Sequence, residues 1–286
     1  MNAAFHAAAD AILRRATTGE PNVPGVVAME SGQAGNVYEG AAGVRRLGDA
    51  DPMTTDSVFA LFSCTKAITG TVVLQLVEQG MLEPLLFDPG ERWEYGLGID
   101  WCGRVIEGVL GERLDTVLAA RVFDPLGMTD TAFVLTPSVR ARRASMHQRG
   151  TDGALTAIVH ELPEEPEVFM GGGALFGTVA DYMRFLRMWV NDGTGENGRV
   201  LKPETVAFAA RDHLGGMKIR RMESVTRGVT HDAEFFPGLS KSWGLTFMVN
   251  DENAPNGRPA GSMIGWAALN GFLAFETALY NGLRRA

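Results

Sequence analysis

Apolar residues recur with helical spacing in the middle of the chain and form extended runs near both of its ends. Residues 1–20 place apolar side chains every three or four positions, with polar ones between them, which predicts an amphipathic helix. Two apolar runs follow at 26–29 and 37–44, and the glycine-rich polar turn between them predicts a β-hairpin. The first part of the chain therefore predicts one helix and two paired strands.

Helical periodicity dominates the central part of the chain. The segments with this spacing are 63–80, 103–109, 114–123, 179–191 and 203–210. Within them, Thr178 followed by Asp181 predicts a capped helix start. Near the C-terminus, residues 242–250 and 261–270 have strand patterns, and residues 272–286 predict a closing amphipathic helix.

Strands at both ends with helices between them predict an α+β fold with two domains. Residues 1–62 and 240–286 are expected to form a discontinuous sheet domain, and residues 63–239 a mainly helical one. Because clefts between such units are common ligand sites, we expect the active site there.

Composition narrows the class of protein and its partners. The 286 residues include 45% apolar and 21% charged residues, as is ordinary for a globular protein, and the net charge of −8 argues against nucleic acid or an anionic membrane surface as the partner. Two cysteines, Cys64 and Cys102, are too few for a disulfide framework, which fits a reducing compartment. Because no signal peptide or membrane span is recognisable, we expect a cytoplasmic protein.

The stretch FALFSCTKAITG (59–70) holds a candidate nucleophile and base. Ser63 and Lys66 are three residues apart, so at the start of a helix they lie on the same face and can touch. A serine hydroxyl needs a base to take its proton, and a lysine serves when burial or a nearby positive charge keeps it neutral part of the time. The alternative is a capping serine with a surface lysine, but the apolar residues on both sides argue against a surface position.

Tyr95 is a weaker candidate from the residues alone. It follows a turn signal at 88–90 and directly precedes Gly96, just before a predicted helix. Its phenol could relay a proton between Ser63 and Lys66, or it could simply pack at the rim of the cleft with its hydroxyl hydrogen-bonded.

Two further features favour structural roles. The run GGGALF (171–176) lacks the lysine and the serine or threonine of a phosphate-binding loop, so its glycines could instead line the cleft. The histidines show no spacing typical of a metal site, so no metal is expected; they are His6, His147, His160, His213 and His231.

Several long motifs, in the same order along the chain, resemble the serine hydrolases of the class C β-lactamase type, and particularly their carboxylesterase branch. The motifs are SVFALFSCTKAITGTVVLQLVEQGMLE (57–83), PGERWEYGLGIDWCGRVIEGVLGERL (89–114), VFDPLGMTDTAF (122–133), GGGALFGTVADYMRFLRMWVNDG (171–193), KSWGLTFMVN (241–250) and GRPAGSMIGWAALN (257–270). The resemblance implies a β-lactamase and penicillin-binding-protein-like transpeptidase fold, with an antiparallel sheet flanked by helices and an inserted helical domain. It also implies that Ser63 is the acylated nucleophile and that Lys66 is paired with Tyr95.

The resemblance further implies a third motif on a strand, which is Lys-Thr-Gly in lactamases and Trp-x-Gly in the esterases. Here the substrate-binding motif reads Trp266, Ala267, Ala268, with alanine in place of the usual last glycine. The oxyanion hole would use the backbone N–H groups of Ser63 and Leu269.

Departures from the lactamase pattern indicate the substrate. Leu97 stands where lactamases usually carry asparagine, and Trp266 replaces their lysine, so groups that would hold the amide and carboxylate of a lactam are missing. The resemblance therefore implies a cofactor-free serine carboxylesterase for small esters with an apolar acyl group. The alternatives are β-lactamase or D-Ala-D-Ala peptidase activity, or an inactive penicillin-binding-like protein. The sequence leaves the oligomeric state open.

The chain is shorter than the family pattern at two junctions. At 83–87 a long connection is nearly absent, and at 269–272 a β-hairpin between the strand of Trp266 and the closing helix is nearly absent. Either residues are missing from the sequence at these points, or the sheet of this protein is shortened.

Overall fold

The computed structural model describes residues 3–19, 22–81, 98–150, 152–159, 163, 166–219, 221–222, 232, 234, 237–254 and 257–264. Helices and antiparallel strands both occur in these residues, as an α+β fold requires. The helices are α1 (Ala3–Thr18), α2 (Thr65–Glu78), α3 (Gly98–Leu110), α4 (Leu114–Leu118), α5 (Asp124–Leu126), α6 (Pro137–Ala141), α7 (Val179–Val190) and α8 (Pro203–Ala209).

The described strands are short and pair antiparallel. They are β1 (Gly25–Gly32), β2 (Gly35–Gly43), β3 (Val58–Ala60), β4 (Met146–Arg149), β5 (Leu155–Ile158), β6 (Phe176–Thr178), β7 (Thr194–Gly195), β8 (Gly198–Arg199), β9 (Lys241–Trp243), β10 (Met248–Asn250) and β11 (Met263–Ile264). The pairs are β1 with β2, β3 with β6, β4 with β5, and β7 with β8, while β10 lies between β9 and β11.

The N-terminal helix covers the first hairpin, as the apolar pattern predicts. Phe5, Ala9 and Leu13 recur every four residues on one face of α1 and are buried, and they pack together with Tyr38 of β2. The predicted hairpin is confirmed, with β1 and β2 joined by a tight turn at residues 33–34.

Helix α2 runs through the main hydrophobic core. Ala67, Ile68, Val72 and Leu76 are completely buried within it, among side chains from α4, α7 and α8. The turn between β9 and β10 also contacts α2, because a Cβ atom at Gly70 would lie only 2.6 Å from Cγ2 of Thr246. A glycine at this position therefore allows the helix and the turn to approach each other.

The pairing of β3 with β6 connects two distant parts of the chain beside the start of α2. Val58 lies opposite Thr178, and Ala60 lies opposite Phe176. The Leu61 N–H continues this ladder by donating to the Leu175 carbonyl at 2.8 Å. As a result, the loop that leads into β6 lies next to the turn that leads from β3 into α2.

Most predicted helices are confirmed, with changes at their ends. The helix expected over 63–80 begins at Thr65, because a 3₁₀ turn, Phe62–Cys64, precedes it. A π-helical turn, Ala119–Phe123, makes up the second half of the helix expected over 114–123. The helix expected from residue 103 already begins at Gly98.

Other predicted elements are corrected or lie outside the described residues. The segment 242–250 forms two strands, β9 and β10, with a turn between them, where its pattern suggested a continuous strand. Thr178 Oγ1 accepts the Asp181 N–H at 3.1 Å, so the predicted cap of α7 is confirmed. The closing helix at 272–286 lies outside the described residues, and the proposed domain division stays a prediction. No helix in the described part of the chain is long and apolar enough to span a membrane.

Candidate active site

Ser63 lies in the 3₁₀ turn that joins β3 to α2. The residue before it, Phe62, has a φ of +43°, a left-handed conformation that is rare for a bulky side chain. The turn is held by the Cys64 N–H, which donates to the Leu61 carbonyl at 3.0 Å, and by the ladder contact of Leu61 with Leu175. Surrounding hydrogen bonds thus hold a strained backbone at the serine.

Lys66 lies in the first turn of α2 and is only 8% exposed. Its Nζ lies 3.3 Å from the Ser63 Oγ and donates to the carbonyl oxygen of Gly172 at 2.5 Å. The expectation that the two side chains touch is confirmed by this contact. The alternative of a surface lysine is therefore wrong.

The glycine run at 171–173 lines this site. Its backbone is fixed from two helices, because Thr69 Oγ1 of α2 donates to the Gly171 carbonyl and Asp100 Oδ1 of α3 accepts the Gly172 N–H, both at 2.8 Å. A Cβ atom at Gly172 would lie 2.6 Å from Oδ2 of Asp100, so a larger residue at this position would displace the carboxylate. These glycines therefore lie beside Lys66 and Phe62, and a cleft between the two predicted domains stays a prediction.

Sequence reasoning missed Thr69 and Asp100. Thr69 lies three residues after Lys66 and therefore on the same helix face, which is a signal that could have drawn attention to it. Asp100 offers no comparable signal, since its partner is a backbone N–H more than seventy positions away.

Cys64 follows Ser63 directly and is not a competing nucleophile at neutral pH. Burial raises the pKa of the Cys64 thiol to about 11, although the hydrogen bond from Tyr182 and the charge of Lys66 oppose this rise. Thiols react as thiolates, so Cys64 stays unreactive near pH 7. Tyr182 also donates through its hydroxyl to the Cys64 carbonyl at 3.4 Å, and burial raises the pKa of this phenol well above its usual value.

Three described histidines have structural contacts with the backbone: His6 with the Val37 carbonyl, His147 with the Leu47 N–H, and His213 with the Phe208 carbonyl. His160 and His231 lie outside the described residues. Among the residues that the structure describes, no group of three His, Cys, Asp or Glu side chains could hold a metal ion.

The remaining predicted site residues lie outside the described residues. They are Tyr95, Leu97, Trp266, Ala267, Ala268 and Leu269. The proton relay through the tyrosine and the second oxyanion donor therefore stay predictions, as do the two short junctions at 83–87 and 269–272.

Comparison with a solved structure supports the fold. Unliganded simvastatin synthase (LovD) from Aspergillus terreus superposes with a TM-score of 0.76 over 99% of this chain and 99% of that one, at 20% sequence identity. At this identity the likeness concerns the fold alone.

A family model described as Beta-lactamase matches residues 10–84 and 81–280, and the chain belongs to this family. The family resemblance and the α+β, penicillin-binding-protein-like fold expected from the motifs are thereby confirmed. The two matched stretches overlap at residues 81–84, which include the start of the first short junction.

Two curated relatives are similar over part of the chain. A lovastatin esterase of Penicillium rubens is 37% identical over 147 residues, which are 49% of this chain and 36% of that protein. The ML-236A carboxylate methylbutanoyltransferase of Penicillium citrinum is 28% identical over 196 residues, which are 65% of this chain and 46% of that protein. The chain thus spans less than half the length of each.

Proposed function

We propose that this protein is a serine esterase that hydrolyses small carboxylic esters through an acyl-enzyme on Ser63. The observation that carries the proposal is the contact of the buried Lys66 Nζ with the Ser63 Oγ at 3.3 Å. A lysine so placed can take the serine proton as the nucleophile attacks. The named activity of the Penicillium rubens relative, an esterase, supports this choice of reaction.

In the proposed first half-reaction, the Ser63 Oγ attacks the ester carbonyl carbon while its proton passes to Lys66, directly or through the Tyr95 phenol. The tetrahedral intermediate collapses by breaking the bond to the alcohol oxygen, and the alcohol leaves with that proton. Backbone N–H groups of Ser63 and Leu269 are the proposed oxyanion donors, each worth on the order of 3 kcal/mol to such a transition state.

In the second half-reaction, water attacks the acyl carbon and gives a proton to the same base. The Ser63 Oγ leaves, takes back a proton from Lys66 or Tyr95, and the carboxylic acid is released. Leu97 and Trp266 stand where lactamases carry polar groups, so the proposed acyl pocket favours apolar chains over a lactam.

Acyl transfer is a second candidate, since the Penicillium citrinum relative is named as a methylbutanoyltransferase. The same acyl-enzyme can be discharged by an alcohol instead of water, which gives an ester in place of the acid. The choice depends on whether an alcohol or water reaches the acyl carbon first.

Incubation with p-nitrophenyl butyrate, with and without an added alcohol, tests both candidates, because chromatography separates butyric acid from the new ester. Turnover of a chromogenic cephalosporin at a comparable rate would favour the lactamase alternative. Mass spectrometry after treatment with a fluorophosphonate should show one adduct on Ser63, and Ser63→Ala should show neither adduct nor turnover. Wild-type protein that binds penicillin but gives neither adduct nor turnover would contradict the proposal and favour an inactive binding protein.

A further inference from the structure

The peptide unit that joins Gly171 to Gly172 is held at both of its ends. Its carbonyl oxygen, on Gly171, accepts from the Thr69 hydroxyl, and its N–H, on Gly172, donates to the Asp100 carboxylate. A peptide unit is planar and rigid, so contacts at opposite ends fix the orientation of the whole unit.

The next carbonyl along the chain is the one that contacts the base. The Gly172 oxygen accepts from Lys66 Nζ at 2.5 Å, and the same Nζ lies 3.3 Å from the Ser63 Oγ. Because glycine has the freest backbone of all residues, a run of three glycines does not hold this carbonyl in place by itself. The orientation of the carbonyl therefore depends on what holds the preceding peptide.

We propose that Thr69 and Asp100 are positioning residues that hold the Gly171–Gly172 peptide and, through the Gly172 carbonyl, keep Lys66 Nζ against the Ser63 Oγ. The inference rests on the proposed function of Ser63 and Lys66. Neither side chain touches the reacting atoms, so their effect is expected on the rate of the chemical step rather than on substrate binding.

The positions of Thr69 and Asp100 favour a positioning role over a role confined to their own helices. Thr69 is completely buried, and its hydroxyl donates to the glycine loop. The hydroxyl of Thr71, by contrast, donates to the preceding turn of its own helix. Asp100 lies in the first turn of α3, where a carboxylate also stabilises a helix through its dipole. A dipole role alone would change stability and leave the rate of catalysis unchanged.

Two matched pairs of variants separate these roles. Thr69→Val and Asp100→Ala remove the hydrogen-bonding groups, whereas Thr69→Ser and Asp100→Asn keep a hydroxyl donor and a side-chain oxygen acceptor. We expect the first pair to lower kcat for p-nitrophenyl butyrate about 10- to 100-fold with KM within about two-fold, because small misplacements of catalytic groups cost rates of this size. The second pair should stay within about five-fold of wild type.

The rate of fluorophosphonate labelling of Ser63 should fall in parallel with kcat, and the melting temperature is measured for every variant. Wild-type kcat in Thr69→Val and Asp100→Ala, or equal losses within each pair, would overturn the inference while leaving the proposed function intact. If Asp100→Ala does not fold, the nearly isosteric Thr69→Val decides. Wild-type protein without turnover or labelling would overturn the proposed function and this inference together.

Discussion

Helices α1 and α2 are both buried against their neighbours, yet they use polar residues in opposite ways. In α1 one apolar stripe faces the hairpin and most of the remaining surface is exposed. In α2 nearly every residue is buried, including Lys66, Thr69 and Gln75. Each of these three donates to a backbone carbonyl of another segment.

This contrast indicates that buried polar residues of a helix are candidates for a functional role. A buried polar group costs free energy unless it has a hydrogen-bonding partner, so an apolar stripe is the simplest way to attach a helix. A helix that buries polar residues instead fixes particular backbone segments around it. In α2 those segments include the glycine loop at the candidate site. Helix α1 instead packs its apolar stripe on the hairpin, and the side-chain hydrogen bonds described for it outside the helix, through His6 and Asp10, reach only β2.

The largest expected effect comes from Lys66, the proposed base in α2. Lys66→Ala should lower kcat/KM for p-nitrophenyl butyrate at least about 100-fold, because general-base steps contribute about 10²- to 10⁴-fold. Circular dichroism checks that the variant is folded. Tyr95→Phe should also lower kcat/KM at least about 100-fold if the phenol relays the proton. Two variants with near wild-type rates would show that the base is wrongly assigned.

On α1, packing should matter and catalysis should not. Leu13 is 2% exposed, and Leu13→Ala is expected to lower the free energy of unfolding by about 3 kcal/mol, as for other buried leucines. Urea denaturation measures this loss, and ester turnover per folded molecule should be unchanged. Ala7→Ser, on the exposed face of the same helix, is the control and should stay within about 0.5 kcal/mol of wild type. A fall in kcat with Leu13→Ala would break the contrast between the helices.

A smaller effect is expected where α2 fixes backbone away from the site. Gln75 donates from Nε2 to the Arg121 carbonyl at 3.0 Å and to the Val200 carbonyl at 3.1 Å. Gln75→Leu keeps the volume but leaves two carbonyls without this donor, so we expect a loss of about 2 kcal/mol in the free energy of unfolding. Urea denaturation again measures it. Equal stability of variant and wild type would mean that the amide contributes no net stability.

The smallest effect concerns the hydrogen bond between Asp10 of α1 and Tyr38 of β2. Burial, together with the hydrogen bond from the Tyr38 hydroxyl to Asp10 and the charge of Asp10, raises the pKa of Tyr38 well above its usual value of 10.0. The folded form keeps the Tyr38 proton to a higher pH than the unfolded form does. The protonated Tyr38 therefore contributes fully to the free energy of unfolding below about pH 10, and this contribution is lost as the pH rises further.

At pH 10.5 the wild type should therefore lose about 0.8 kcal/mol more than Tyr38→Phe, relative to pH 8. Urea denaturation of both proteins at the two pH values measures the difference, and titration of the other groups is common to both. Equal pH dependence of the two proteins would contradict the assignment of Tyr38.

The apolar patterns predicted helices α1 and α2 because each pattern depends on residues close together in the sequence. The stripe of α1 and the run of α2 follow from residues within one or two turns of each other. Helix α2 begins two residues later than its pattern predicts, because residues 62–64 form a 3₁₀ turn in which Phe62 takes a positive φ. Spacing and side-chain chemistry predicted Ser63 and Lys66 as a candidate nucleophile and base, and the family motifs added Tyr95 and the strand motif at 266–268.

The parts that could not be predicted are contacts between a side chain and distant backbone. Asp100 accepts an N–H from Gly172, and any chain segment could supply such a group, so no residue type marks the partner. The same holds for the glycine run, whose place beside Lys66 follows only once the chain has folded back on itself.

The pairing of β3 with β6 also has a consequence for the order of folding. The two strands are more than a hundred residues apart in the chain, and the turn that presents Ser63 is held by this pairing. Closing so long a loop costs entropy that local helix formation does not, and contacts of this kind form slowly. The turn at Ser63 therefore gains its final geometry only after residue 178 has been synthesised.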